Sequence, residues 1–152
     1  MAAGDRITHM TDHVFLSESD LSNWSRELRA CLEHAFSPET AQLGSSSSVP
    51  SAGQCAAVAV IVQEILGGQM VSARVDGCSH WFNRLPTLDG EIDLDITADQ
   101  FGHSPILTSR AGDLYPGTRV RQAAEVAAET KARSELLKQR SGVFRAVRLK
   151  AG

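Results

Sequence analysis

A chain of 152 residues with 42% hydrophobic and 22% charged residues is sized for one globular domain whose core needs no disulfide or metal staple. Three cysteines at unrelated spacings exclude a disulfide framework and suit a reducing, cytoplasmic setting. Net charge is −3, no apolar stretch is long enough to span a bilayer, and Met1–Phe15 lacks the apolar core of a signal peptide, so we expect a soluble protein with no membrane partner.

Residues 1–17 read as a flexible N-terminal segment, and residues 18–152 as a single domain. Ser19 or Asp20 can cap a helix running to about Phe36. Leu21, Trp24, Leu28, Cys31, Leu32 and Ala35 recur at helical spacing, so one face is buried and Cys31 is an inert core thiol. Ser37-Pro38 ends the helix. Ala41–Ala52 is a loop with four consecutive serines, Ser45–Ser48, and reads equally as a connector or as a substrate-facing lid.

Cys55–Leu66 is nearly all apolar and closes on Gly67-Gly68. Its β-branched Val58, Val60, Ile61 and Val62 leave a strand open. Its length and the glycine pair favour a helix buried on all sides at the centre of the fold. Three strands follow, Met70–Val75, Ser79–Leu85 and Glu91–Thr97, joined by the turn signals Asp76-Gly77 and Asp89-Gly90. Ala98–Phe101 fits one helical turn, and residues 102–117, with Pro105 and Tyr115-Pro116-Gly117, read as irregular. Thr118 to about Gln139 reads as an Ala-rich helix with Val120, Ala124, Ala128, Ala132 and Leu136 on one stripe. Val143–Leu149 reads as a last, partly exposed strand. The sum is an α+β domain, a central helix against a mainly antiparallel sheet.

Charge is uneven. Residues 119–152 hold nine Lys/Arg and three Asp/Glu, and the rest of the chain six and fifteen. The basic end reads as a solvated surface, since Phe144 is its one aromatic and nucleic acid binding needs more to stack on. The acidic remainder would steer cationic substrates.

Chemistry concentrates between residues 53 and 95. Cys55 stands where a polar loop becomes the apolar helix. A helix N-terminus presents unpaired N–H groups and partial positive charge, which favour a thiolate and can hold an oxyanion. Gly53 allows a tight turn, and Gln54 is a candidate oxyanion donor. Of five histidines, His9 and His13 lie in the N-terminal segment, His34 on the exposed helix face and His103 in a loop. His80 sits on a strand beside Trp81 and Phe82, which can exclude water, and Trp81 is a candidate substrate contact. Alternation puts Asn83 on the opposite face from His80, so a carboxylate on the next strand is the better orienter. Asp93 and Asp95 share one face there, and alternation does not choose between them. Cys78 and His80 also share a face, and with Cys55 would make a Cys₂His zinc set, although no CxxC or HExxH spacing supports it.

Three segments carry a family resemblance: Gly53-Gln54-Cys55, Ser79-His80-Trp81-Phe82-Asn83-Arg84-Leu85-Pro86, and Asp95-Ile96-Thr97-Ala98-Asp99-Gln100-Phe101. In order and spacing they resemble the YunG-like family of small bacterial proteins, with good coverage over residues 50–102. That family pairs GQC and an apolar helix with a Ser-His-aromatic-aromatic-Asn strand and an Asp-Leu-Thr segment. Matching Asp-Ile-Thr to Asp-Leu-Thr selects Asp95. Two departures stand out: the aromatic pair is Trp-Phe rather than Tyr-Trp, and Asp93 is an extra acid. The resemblance implies a papain-like, transglutaminase-type cysteine fold, in which nucleophile, histidine and carboxylate follow in this order. The expected function is a cysteine-dependent hydrolase or acyltransferase acting on a small-molecule or peptide amide or thioester, without cofactor, through Cys55, His80 and Asp95. A non-catalytic binding module on the same fold is the alternative, ahead of a zinc-site protein.

Overall fold

In this computed structural model, which describes residues 16–42 and 49–151, the first element is helix α1, Glu18–Glu33. Its cap is Ser17, not Ser19 or Asp20: the Ser17 hydroxyl accepts the Asp20 amide at 3.1 Å. That register leaves Glu18 and Asp20 in the first turn, where their charge complements the helix dipole. The helix ends at Glu33, three residues short of the expected end. Leu21, Leu28 and Leu32 form its buried stripe, with Trp24 and Cys31 packed at its margin. Each fully buried leucine contributes about 1.5–3 kcal/mol.

The apolar run is helix α2, Cys55–Leu66, with the expected bounds. Gly67 terminates it at φ 76°, and Gly68 follows at φ 71°. A Cβ on Gly68 would collide with the Arg84 carbonyl, so this position requires glycine both for its backbone and for close passage beside the Arg84 backbone.

The sheet begins with β1, Gln69–Val75, β2, Cys78–Thr87, and β3, Gly90–Asp95. Asp76 and Gly77 both take positive φ, the pairing a two-residue hairpin turn needs. Two shorter strands extend it: β4, Leu107–Arg110, and β5, Arg119–Arg121. The five strands pair antiparallel throughout, in the order β4-β3-β2-β1-β5. The register places His80, Phe82, Arg84 and Asp93 on one face, and Trp81, Asn83, Leu85 and Leu94 on the other. The second face meets α2, where Asn83 Nδ2 donates to the Ala59 carbonyl at 2.9 Å.

Four expectations are corrected. Residues 102–117 contain β4, which pairs with β3. The start of the expected Ala-rich helix is instead β5 and a short 3₁₀ turn, Ala123–Glu125. Arg121 anchors that strand by donating to Ser72 Oγ at 2.7 Å and lying over the Trp81 ring. Helix α3 is Ala128–Ser141, and its buried positions are Thr130, Ser134 and Leu137 rather than the alanine stripe. Val143–Leu149 is not a strand but belongs to helix α4, Val143–Ala151. Val143 and Val147 are both buried while Arg145 between them is exposed, which suits helical spacing and not the alternation of a strand. Gly142 at φ 63° ends α3 and lets the chain turn into α4. The fold is thus α+β: among the described residues, an open five-stranded antiparallel sheet with four α-helices. Among the described residues, no helix is long and apolar enough to cross a membrane. The expected flexible segment, save Leu16 and Ser17, and the Ser45–Ser48 loop lie outside the described residues.

Candidate functional site

Cys55 is the first residue of α2, preceded by a turn in which Gly53 adopts φ 76°. The N-cap residue, Gln54, makes no side-chain bond to the amides of the first turn. The preceding loop is pinned twice. The Gln42 amide donates to the Gly53 carbonyl at 2.9 Å, and Ser51 Oγ donates to Asp99 Oδ1 at 2.5 Å. Gln54 is buried; its Nε2 donates to the Ser37 carbonyl at 3.0 Å, and its Oε1 has no partner among the described residues.

His80 is fully buried near the start of β2. Its Nε2 lies 2.6 Å from Asp95 Oδ2, and Phe101 packs edge-on against the ring with centroids 4.7 Å apart. The other ring nitrogen, Nδ1, is buried and forms no hydrogen bond among the described residues. Burial opposes charge on His80, but the bond to Asp95 and the neighbouring Cys55 side chain outweigh it, and the pKa rises to about 9. With Nε2–H committed to the carboxylate, Nδ1 is the nitrogen left to exchange a proton with the thiol.

Asp95 is buried and its two oxygens have divided duties. Oδ2 also accepts the Tyr115 hydroxyl at 2.6 Å, and Oδ1 accepts the Thr97 amide at 3.0 Å and its hydroxyl at 3.3 Å. Burial and the charge of Asp95 push the Tyr115 hydroxyl pKa up, so it remains a donor. Asp93, two residues earlier, faces Arg84 instead.

Tyr115 was hidden in the segment read as irregular. The signal for it was composition: it is the one tyrosine of the chain. A second group joins α1 to the site. Arg29 donates to both oxygens of Asp99, at 2.9 and 2.8 Å, and to the Ile96 carbonyl at 2.8 Å. Burial opposes the charge of Asp99, yet Arg29 and Ser51 hold its pKa below the usual carboxylate range. The segment Asp95–Phe101 is thereby explained nearly residue by residue. Asp95 holds His80, Thr97 holds Asp95, Asp99 ties the loop before Cys55, Gln100 braces Thr97 and Phe101 covers the His80 ring.

Cys55 is 7% exposed, and that exposure opens on a cavity of about 350 Å³. Ala56, Ser79 and Trp81 line it on one side, Glu129 and Arg133 on the other. The structure therefore brings Cys55, His80, Asp95 and Trp81 to one place. Cys31 lies apart, donating to the Ser141 carbonyl at 3.3 Å, with its thiol pKa pushed up by burial and by Glu27. Cys78 is exposed. Among the described residues no three His, Cys, Asp or Glu side chains are grouped to hold a metal ion, so the Cys55, Cys78 and His80 zinc set is not assembled.

No curated protein and no solved structure matches this chain. One family model does, over residues 25–144, a span that contains every site residue described above. On that match the chain belongs to the family described as YunG protein.

Proposed function

We propose that this protein is a cysteine-dependent hydrolase or acyltransferase with a papain-like core, acting on an amide or thioester. One observation carries the reading: a fully buried histidine is held by a buried carboxylate through Nε2, while its unpartnered Nδ1 is left for the Cys55 side chain. In the reaction, Cys55 Sγ, its proton already carried on His80 Nδ1, attacks the carbonyl carbon. The tetrahedral oxyanion lies against the uncapped amides at the start of α2, with the second Nε2–H of Gln54 as a further donor. The C–N or C–S bond then breaks, and His80 returns its proton to the leaving amine or thiol. Water or an amine, deprotonated by His80, attacks the thioester and releases Cys55. Asp95 supports the imidazolium throughout, and Tyr115 and Thr97 keep Asp95 in place.

The test is peptide-resolved labelling with iodoacetamide at neutral pH. Cys55 is expected to react much faster than Cys31 or Cys78, and His80→Ala to slow Cys55 alone. Slow, equal labelling of all three thiols overturns the proposal. Cys31, Cys55 and Cys78 are all free thiols, so each can be labelled.

A further inference from the structure

The cavity beside Cys55 is lined by a guanidinium that has no carboxylate partner among the described residues. Among the described residues, five Lys or Arg side chains are not exposed: Arg29, Arg84, Arg121, Arg133 and Lys138. Four of them meet a carboxylate: Arg29 on Asp99, Arg84 on Asp93, Arg121 on Glu125 and Lys138 on Glu64. Arg133 meets none. Its Nη2 donates to Thr130 Oγ1 at 2.9 Å, and its Nε is buried without a partner among the described residues. Both Arg133 and Thr130 line the cavity.

The acids nearby do not fill the gap. Glu125 is committed, with Oε1 on Arg121 at 3.3 Å and Oε2 on the Gln122 amide at 2.6 Å. Glu129 is exposed and forms no salt bridge among the described residues. A half-buried guanidinium with open donors matches a carboxylate in charge and geometry. We infer that the substrate of Cys55 carries a carboxylate that docks on Arg133. The class is an amide or thioester with a free acid near the scissile carbonyl, such as an amino acid conjugate or a peptide end. This rests on Cys55 being the nucleophile. It differs from the cationic substrate that the acidic balance of the chain would steer, because the group facing the reacting carbon, not the distant field, selects what binds.

The experiment compares two alkylating agents of nearly equal size, neutral iodoacetamide and anionic iodoacetate, at Cys55. Arg133→Gln should lower the iodoacetate rate about fivefold, the scale of one partly exposed charge pair, and leave the iodoacetamide rate unchanged. Arg133→Lys should restore part of the loss, and added salt should shrink the difference. An iodoacetate-to-iodoacetamide ratio that Arg133→Gln does not change overturns the inference. So does a ratio that rises in Glu129→Gln without falling in Arg133→Gln, since Arg133 would then belong to Glu129. Selective iodoacetamide labelling with an insensitive ratio removes the carboxylate subsite alone. Failure of Cys55 to react selectively with either reagent removes the nucleophile, and the subsite with it.

Discussion

Asp93 and Asp95 stand two residues apart on one strand face, both buried, and they differ only in what they meet. Asp93 lies directly across from Arg84 and binds it at 2.7 and 3.0 Å, with the Gly112 amide at 2.8 Å. Arginine keeps its charge at any accessible pH, so this pair is a permanent brace between β2, β3 and the turn after β4. Asp95 is reached on the diagonal by His80, a group whose charge can change. A buried carboxylate is therefore a brace or part of a proton relay according to the side chain opposite, not according to its own position.

The largest expected effect breaks the brace. Asp93→Ala should cost about 3 kcal/mol in urea unfolding, since it leaves a mostly buried guanidinium unpaired. Cys55 labelling by iodoacetamide should stay within about twofold of wild type, the small change expected when no proton-transfer group is touched. Asp95→Asn should do the reverse, slowing Cys55 labelling about a hundredfold with a smaller stability change. If both variants slow labelling equally, the two acids are not distinct.

Proton titration sharpens the contrast. The folded His80 pKa of about 9 lies above the ordinary value of 6.5. Its contribution to stability should be present in full below about pH 6.5 and be lost as pH rises through 9. His80→Gln should remove that slope from the stability profile, whereas loss of the Arg84–Asp93 pair should lower the curve evenly across the same window. The smallest effect is at Tyr115. Tyr115→Phe deletes one hydrogen bond to Asp95 and should cost about 1 kcal/mol of stability. Its labelling rate should fall by less than that of Asp95→Asn, because Thr97 still holds the carboxylate.

Much of the central region was legible in the residues themselves. Helix α2 has the expected bounds because an unbroken apolar run ending in two glycines has few other solutions. The hairpins follow from Asp-Gly pairs, and alternation alone separates Asn83 from His80. The C-terminal third was misread for a physical reason. Arg119–Arg121 is a strand only because β1 offers it an unpaired edge, a partner nearly fifty residues away. Val143–Leu149 suggested alternation, yet the burial of Val143 and Val147 depends on the core that α1 and α2 supply.

Local pattern thus determined a thiol at a helix start, a histidine on a strand and two acids on one face. The family resemblance preferred Asp95, but alternation alone was neutral. Tertiary structure decided which acid meets His80, that Tyr115 shares that acid, that Arg29 reaches Asp99 from α1, and that Arg133 is left without a carboxylate among the described residues. The reason is range. Side-chain periodicity is set by neighbours a few residues apart, whereas charge pairing is set by whichever group the packed elements bring within about 3 Å.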